Sequence, residues 1–522
     1  MAHFCLSSRS MHFMMDAEQH HELSSFRGLA KAFEGLLLEA NLIGSEWISD
    51  FGNGVLEVVD PAGGGVVGTV PRAGTADVRQ AIEVAGAAFL KWRAEPARSR
   101  SEALQRWHDL IIEHRSNLAA LLTAEQGKPL SEALAEIDYA ASFVRWYAGE
   151  AERVSGRLAL SANGLDVCSI QKVPVGVVAA ITPWNAPSSM VTRKVAPALA
   201  AGCTVVLKPA ESTPFSALAL AKLALKAGIG PGVLNVVTGD AEAIGAVLTS
   251  SPIVRKISFT GSTRVALHLL SAASKSMKRV SLEAGGNAPF IVLPDADMDV
   301  AVTAAMVAKF RAGGQSCVAA NRFLIAEERY EEFVERVTER VVALRTGSGH
   351  TDPDIGPVID QNSAQRIGEL IDEAVSAGAR LICGGYRRGT AFVDPAVVRD
   401  VTPQMRIYHE EVFGPVATVS SFRDIETLVH DLNQEDTGLV AYLIGQDEAV
   451  ANHLADRLEV GMVGINTGLV SDASMPFGGV KCSGLGREGG VEGIEAYLEA
   501  KYIKTARQEL EISVPKRELG QS

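Results

Sequence analysis

The chain has 522 residues, of which 47% are hydrophobic and 21% charged, and its formal net charge is −13. This balance is typical of a soluble globular protein and excludes collagen, an intrinsically disordered chain and a small disulfide-rich scaffold. Because the chain is acidic and has no long basic run, we expect no nucleic-acid partner. No stretch of about 18 uncharged apolar residues occurs, so the sequence predicts no membrane span.

The cysteines are scattered without the CxxC or Cys/His spacing of a zinc site or a disulfide framework. They are Cys5, Cys168, Cys203, Cys317, Cys383 and Cys482. Unpaired thiols indicate a reducing compartment. Residues 1–26 contain several acidic side chains, whereas an organellar transit peptide is normally poor in them. The sequence therefore predicts a cytoplasmic protein with no metal centre.

Residues 99–122 carry the first strong helical pattern. Leu104, Trp107 and Ile111 fall on one face, and Ser99 and Glu102 have the spacing of a capping box. The pattern predicts one amphipathic helix over the whole range.

From about residue 175, short apolar runs alternate with helical stretches such as Ser216–Ala227. The runs lie at 177–181, 205–208, 233–237, 256–259 and 279–282. This alternation is typical of βαβ units and predicts a doubly wound parallel sheet that binds a nucleotide. No GxGxxG motif follows any of the runs, so the evidence for a cofactor must come from other residues.

A second α/β lobe is predicted from residue 289 onward. It contains a strand at 289–293, a helix at 330–344 and an apolar run at 379–383. Residues 155–172 and a segment near 500–507 fit neither lobe and are interpreted as extended strands that leave the body, although a surface hairpin and a loose tail would give the same pattern. Exposed strands of this kind are usually covered by a partner subunit, which predicts a homodimer or homotetramer.

One cysteine stands out as a nucleophile. Cys317 lies in GGQSCVAANR, where small and polar neighbours do not fit a core strand. Glu283 ends the run RVSLE, at the sheet edge where α/β proteins place ligand groups. It is either a general base for water or a structural glutamate in a helix cap or ion pair.

Polar side chains follow three more of the predicted strands. Asn185 follows the first run, and its amide can donate to a developing oxyanion. Lys208 ends the second run and Glu211 follows it, and both side chains can bind ribose hydroxyls. Ser262 follows the fourth run and opens a helix, where free N–H groups favour a phosphate.

Seven segments of the chain carry a family resemblance, and the spacing from Glu283 to Cys317 agrees with it. They are TPWNAP, LKPAESTP, SFTGST, LEAGGNAPF, GGQSCVAANR, EEVFGPV and PFGGVKCSGLGREGG. On these motifs, residues 41–507 resemble the aldehyde dehydrogenase superfamily. The resemblance implies an α/β aldehyde dehydrogenase-like fold, with two doubly wound α/β domains, one for the cofactor and one for catalysis, and a β oligomerisation arm.

Domain boundaries follow from the resemblance. They are 1–40 for an N-terminal extension, 41–154 and 173–284 for the dinucleotide-binding domain, 285–499 for the catalytic domain, 155–172 and 500–510 for the arm, and 511–522 for a C-terminal tail.

The resemblance also implies catalytic roles. Cys317 would attack the aldehyde carbonyl to form a thiohemiacetal, whose oxyanion the Asn185 amide and the Cys317 N–H would hold. A nicotinamide cofactor would take the hydride, and Glu283 would activate the water that hydrolyses the thioester. The chain departs from the family pattern at Ala186, Ala284 and Ala312, where the family usually has Phe, Leu and Asn. We expect a pocket shape near Ala186 and a loop packing near Ala312 that differ from the family's.

Cofactor contacts are implied for eleven positions. They are Thr182, Pro183, Trp184, Lys208, Glu211, Gly239, Phe259, Gly261, Ser262, Glu411 and Phe413. Among them, Glu411 would hold the nicotinamide ribose, with Phe413 nearby. A carboxylate accepts hydrogen bonds from a free ribose 2′-hydroxyl and repels a 2′-phosphate, so Glu211 favours NAD. Lys208 leaves NADP as an alternative.

Local sequence around the nucleophile resembles the succinate-semialdehyde dehydrogenase branch. In that branch two arginines and a serine bind the distal carboxylate, and the matching positions are Arg193, Arg311 and Ser471. Alternatives are a broad-specificity enzyme and a dehydrogenase for glutarate or 2-oxoglutarate semialdehyde. A CoA-acylating enzyme is disfavoured because acylating relatives generally lack the base at Glu283.

Overall fold

The computed structural model describes residues 35–506. Most of the predicted N-terminal extension, the end of the predicted arm and the predicted tail lie outside these residues. Among the helices of the described part, none is both long and apolar enough to cross a bilayer.

Within residues 35–506 the strands, in chain order, are β1 (Asn41–Ile43), β2 (Glu46–Ile48), β3 (Val55–Val59), β4 (Val66–Pro71), β5 (Arg157–Leu160), β6 (Asp166–Pro174), β7 (Val177–Ile181), β8 (Thr204–Lys208), β9 (Leu234–Val236), β10 (Val254–Gly261), β11 (Arg279–Ala284), β12 (Pro289–Val292), β13 (Arg322–Ala326), β14 (Arg380–Tyr386), β15 (Val393–Arg399), β16 (Val416–Phe422), β17 (Thr437–Gly438), β18 (Val440–Ile444), β19 (Met462–Ile465), β20 (Val480–Lys481), β21 (Gly484–Leu485) and β22 (Leu498–Ala506).

The α-helices of the same residues are α1 (Thr75–Trp92), α2 (Ala97–Glu113), α3 (Arg115–Gln126), α4 (Leu130–Ala151), α5 (Ser189–Ala201), α6 (Phe215–Lys226), α7 (Ala241–Ser250), α8 (Thr263–Ser274), α9 (Met298–Phe310), α10 (Tyr330–Val342), α11 (Gln361–Ser376), α12 (Arg406–His409), α13 (Ile425–Asn433), α14 (Glu448–Arg457) and α15 (Gly490–Glu495). Short 3-10 turns cover Arg311–Gly314, Glu327–Arg329 and Gly349–Thr351.

The first large sheet has the strand order β2-β1-β9-β8-β7-β10-β11-β21. Its five central strands are parallel and coincide with the five apolar runs, which confirms the predicted sheet. Side chains of β7 alternate between the two faces, because Val178 and Ala180 pack with α2–α6 while Val177 and Ala179 pack with α1, α7 and α8. The edge strand β21 comes from the segment predicted for the second lobe and pairs antiparallel with β11.

The second large sheet has the order β14-β15-β16-β13-β12-β18-β19. Its pairs are parallel except β14 with β15. The strand predicted at 289–293 is β12, the run at 379–383 falls in β14, and the helix predicted at 330–344 is α10. The second α/β lobe is therefore confirmed.

The two segments that fitted neither lobe meet in a small antiparallel sheet. β22 pairs with β6 from Leu498 opposite Pro174 to Ala506 opposite Asp166, and β5 pairs with the other edge of β6. Leu158 and Leu160 on β5 are exposed. Both segments are thus strands, as predicted, and the leucines of β5 are exposed to solvent.

The single helix predicted over 99–122 is wrong. The structure has two helices, α2 and α3, separated at His114, and α2 begins after Pro96 rather than at Ser99. The apolar face misled the prediction because Trp107 on α2 and Leu118 on α3 pack into the same core cluster. The pattern therefore continues across the break.

Candidate active site

Parallel strands bring the predicted polar residues to one edge of the first sheet. Asn185 lies in the turn after β7, Lys208 ends β8, Ser262 follows β10 and Glu283 lies near the end of β11. These four strands are neighbours in the sheet, so their carboxyl ends meet at the same edge. The second lobe adds Cys317, which follows α9.

A pocket lies between the two lobes. Cys317 and Asn185 line it together with all three residues predicted to bind the substrate, Arg193, Arg311 and Ser471. The structure therefore brings the proposed nucleophile, the proposed oxyanion donor and the two arginines into one pocket.

The loop before Cys317 has a constrained backbone. Ala312, Gly313 and Gly314 have positive φ angles of 53°, 59° and 71°. A side chain at Gly314 would overlap the Gly414 carbonyl, so glycine is required there. Ala312 is the strained member, and its N–H donates to Glu132 Oε1 at 2.7 Å. This bond helps to hold the turn that presents the thiol.

Burial raises the pKa of the Cys317 thiol to about 12, with Glu411 and Glu283 acting in the same direction and Arg193 opposing them. The thiol is therefore protonated near neutral pH and needs a base at the time of reaction. Arg193 is the cation that favours the thiolate in this pocket.

Glu283 is buried, and neither of its carboxyl oxygens has a hydrogen-bond partner among the described residues. Burial and the charge of Glu488 raise its pKa well above the ordinary range, while Lys194 and Arg193 lower it. It forms neither a helix cap nor an ion pair within residues 35–506, so the structural alternative for Glu283 is not supported. A buried carboxyl with a raised pKa can take up a proton near neutral pH.

A buried ionic group behind Glu283 was missed from the sequence. Lys194 Nζ bonds Glu488 Oε1, and Arg193 Nη1 lies 3.8 Å from Glu488 Oε2. Glu488 lies in the last of the seven motifs, but its presence in a motif does not identify its partners. Those partners are on α5, which only the fold places against the segment before α15.

Asn185 is held by a second buried ion pair. Lys128 Nζ donates to the Asn185 carbonyl oxygen at 3.1 Å and pairs with Glu136. Glu136 in turn accepts hydrogen bonds from the N–H groups of Ser188 and Ser189. The Asn185 side-chain amide donates one hydrogen to the Gln315 carbonyl at 3.0 Å, which leaves its second N–H for a ligand.

Arg193 is 2% exposed and lies among aromatic rings. Its guanidinium carbon is 4.2 Å from the centre of the Phe477 ring and 5.0 Å from that of Phe143. Nη2 donates to the Tyr139 hydroxyl at 2.8 Å, whereas Nε and Nη1 have no hydrogen-bond partner in the described part of the chain. Both nitrogens are closed off from solvent, and Nη1 faces Glu488 Oε2 at 3.8 Å. Arg193 lines the pocket of the proposed nucleophile, so its positive charge can act on an anionic ligand there.

The predicted cofactor side has several features that suit a dinucleotide. Lys208 Nζ lies 2.6 Å from Glu211 Oε1, and the Trp184 and Phe413 rings meet edge to face at 5.4 Å. The Ser262 side chain does not cap α8, so the N–H groups of its first turn remain available for a phosphate.

A second, open cleft contains Ser262, Gly285 and Glu411. A side chain at Gly285 would overlap the Glu411 carboxyl, so this glycine keeps the space beside the carboxyl open. Burial raises the pKa of Glu411 to about 8, against the effect of Lys309. The residues present therefore fit a phosphate at the helix end and a ribose at Glu411.

The other predicted cofactor positions make structural contacts. The Thr182 N–H donates to the Lys208 carbonyl at 3.1 Å. Gly239 has φ +147° and approaches the Ala73 carbonyl too closely for a side chain. Phe259 is in the core with its ring against Gly261. Pro183 is half-buried.

The sequence model of the aldehyde dehydrogenase family matches residues 47–503. The chain belongs to this family, which confirms the predicted family and fold, and it is an oxidoreductase that acts on aldehydes. Among residues 35–506, no group of three or more His, Cys, Asp or Glu side chains is placed to hold a metal ion.

Individual relatives are similar over almost their whole length. The succinate-semialdehyde dehydrogenase [NADP(+)] of Escherichia coli is 47% identical over 90% of this chain and 98% of its own. A glutarate-semialdehyde dehydrogenase of Pseudomonas putida is 48% identical over 88% of this chain and 96% of its own. The crystal structure of succinate-semialdehyde dehydrogenase from Burkholderia pseudomallei superposes with a TM-score of 0.89 at 48% identity, covering 90% of this chain and 98% of that one.

Proposed function

We propose that the enzyme oxidises succinate semialdehyde to succinate with NAD as the hydride acceptor. The observation that carries this proposal is the presence of Arg193 and Arg311 in the pocket of Cys317. Hydrogen bonds to a charged group contribute about 1.5–3 kcal/mol each. Two arginines would then favour a carboxylated aldehyde by roughly 10²–10⁴ in kcat/KM over a neutral one.

Cys317 Sγ forms the bond to the aldehyde carbon in this mechanism, and its thiol proton passes to Glu283, which gives it up to solvent before the hydrolysis step. The second N–H of the Asn185 amide and the Cys317 N–H hold the oxyanion that develops on the carbonyl oxygen. The nicotinamide, when bound, supplies the acceptor for the hydride that leaves the thiohemiacetal. Glu283 then takes a proton from the water that attacks the thioester, and the acid is released as the Cys317 thiol is restored.

Glu211 supports NAD over NADP. Its carboxylate is 42% exposed and stands beside Lys208, where it would accept from a ribose 2′-hydroxyl and repel a 2′-phosphate. The E. coli relative is named for NADP(+), and Lys208 is the residue that would suit a phosphate. The Lys208–Glu211 ion pair offsets that positive charge.

Initial rates with succinate semialdehyde and with butanal test the proposal, because the two differ mainly in the distal carboxylate. We expect a preference of about a hundredfold or more for succinate semialdehyde, with NADH formed faster than NADPH. Similar kcat/KM values for the two aldehydes would mean a broad aldehyde dehydrogenase. NADPH without NADH would overturn the interpretation of Glu211.

Glutarate semialdehyde is a second candidate substrate, and 2-oxoglutarate semialdehyde is a third. Ala186 and Ala312 both line the pocket, at positions where the wider family usually has larger side chains. Smaller walls leave room for one more carbon between the aldehyde and the carboxylate. Rates with the four- and five-carbon semialdehydes separate these candidates. Adding coenzyme A to the assay tests acyl transfer, which the Glu283 base disfavours.

The assembly and location are also proposed. The exposed leucines of β5 support the interpretation of β5, β6 and β22 as an oligomerisation arm of a homodimer or homotetramer, and light scattering on the purified protein measures the mass. The proposed domains keep the bounds predicted from the sequence, with most of the first large sheet in the dinucleotide-binding domain and the second in the catalytic domain; β21 of the catalytic segment joins the first sheet. Five free cysteines within the described residues support a cytoplasmic location.

A further inference from the structure

Tyr139 on α4 lines the Cys317 pocket and contacts Arg193. Resting on the proposed function, we propose that the Tyr139 hydroxyl donates a hydrogen bond to the distal carboxylate of the substrate, beside the bonds from Arg193 and Arg311. Tyr139 is then a specificity-determining residue that no sequence motif singled out.

Hydrogen-bond chemistry defines the direction of the existing bond. A guanidinium has only donors, so in the 2.8 Å contact between Arg193 Nη2 and Tyr139 Oη the phenol oxygen accepts. The O–H hydrogen of Tyr139 is therefore left over, and within residues 35–506 no acceptor takes it. A carboxylate, which only accepts, is the complementary ligand for this hydrogen, and the positive charge of Arg193 in the same pocket favours its binding.

The phenol is positioned before any ligand arrives. Its ring packs edge to face on Phe143, with the ring centres 4.8 Å apart at 65°. The Arg193 guanidinium lies 5.7 Å from the Tyr139 ring centre and 5.0 Å from that of Phe143. A hydroxyl on a packed ring loses little conformational freedom on binding, so its hydrogen bond contributes more fully to affinity.

Tyr139→Phe tests the assignment because it removes only the hydroxyl and keeps the ring packing. The quantity measured is the ratio of kcat/KM for succinate semialdehyde to that for butanal. We expect this ratio to fall at least tenfold. Tyr386→Phe is the matched control, since it loses the same atom outside the pocket, and its ratio should equal the wild-type ratio.

A double-mutant cycle separates direct donation from an effect through Arg193. If Tyr139 only holds Arg193, then adding Tyr139→Phe to Arg193→Met lowers the ratio no further, and the proposal is overturned. If the hydroxyl contacts the substrate, the double variant falls below Arg193→Met by threefold or more.

The wild-type ratio separates this inference from the proposed function. A ratio near 1 overturns the proposed function and the Tyr139 assignment together, because the pocket then recognises no carboxylate. A ratio above about a hundred that is unchanged in Tyr139→Phe overturns the Tyr139 assignment alone.

Discussion

Arg193 and Arg311 line the same pocket but stand in opposite surroundings. Arg193 is buried on α5, among Phe477 and Phe143 and close to Glu488. Arg311 follows α9 and is exposed, and it makes no hydrogen bond or ion pair in the part of the chain that the structure describes. If both bind the substrate as proposed, Arg193 is already held by its neighbours, whereas Arg311 gains its contacts only from the substrate.

The sequence interpretation assigns both arginines the same role, which is to bind the substrate carboxylate. Their different burial predicts different effects on the Cys317 thiol. A buried cation acts strongly on its neighbours, and Arg193 opposes the rise in the pKa of Cys317. An exposed cation is screened by solvent and salt, so Arg311 acts on a ligand that reaches it. We therefore expect Arg193 to affect both the thiol and the substrate, and Arg311 to affect the substrate alone.

Glu283→Gln should cause the largest loss of activity. It tests the proposed base while leaving both arginines unchanged. The proposed water activation is lost, so kcat should fall by about 10²–10⁴. In the wild type, kcat should rise with pH as Glu283 loses its proton, with a midpoint well above the ordinary range of a carboxyl pKa because burial and Glu488 raise it. The variant should lose this rise, and a variant that keeps it would assign the pH dependence to another group.

Arg193→Met should lower kcat/KM for succinate semialdehyde by about 10²–10³ and for butanal by a smaller factor. The larger fall, for succinate semialdehyde, reflects the lost contact with the substrate carboxylate. The smaller fall, for butanal, reflects the Cys317 thiol, which loses the cation that favours its ionised form. Steady-state rates with both aldehydes, together with the pH dependence of Cys317 alkylation, measure the two effects. An unchanged alkylation profile would contradict the link between Arg193 and the thiol.

Sequence reasoning found much of the molecule for identifiable physical reasons. The five parallel strands were predictable because a strand buried on both faces must be apolar throughout, as β7 is. The edge strand β21 could not be predicted, because a strand of two residues has no periodicity. Its pairing with β11 depends on the fold. The break at His114 was hidden because both helices face one core.

The site divides in the same way. Cys317, Glu283 and Asn185 could be named because each stands beside a motif or a strand end. Tyr139 and Glu488 could not, because their importance lies in contacts with Arg193 that join distant parts of the chain. Whether a pocket arginine is already paired is a property of packing, and no local pattern records it.

Arg311→Met should have a smaller effect than Arg193→Met, about tenfold in kcat/KM for succinate semialdehyde, and none on butanal. The loss should appear mainly in KM, and the wild-type preference should weaken with added salt because the exposed charge is screened. Arg388→Met is a suitable control, since Arg388 is also exposed but lies outside this pocket. Equal losses in the two arginine variants would mean that burial does not distinguish them.

Glu211→Ser should have the smallest effect and extends the comparison to the cofactor. Like the two arginines, Lys208 and Glu211 differ in burial, with side chains 4% and 42% exposed. Because Glu211 is partly solvated, its repulsion of a 2′-phosphate is worth about 1 kcal/mol, and removing it should raise kcat/KM for NADP about fivefold while that for NAD falls. Rates at limiting NAD and NADP give both values. A larger gain would show that the freed Lys208 also binds the phosphate, whereas a variant with no gain would exclude Glu211 as the residue that selects the cofactor.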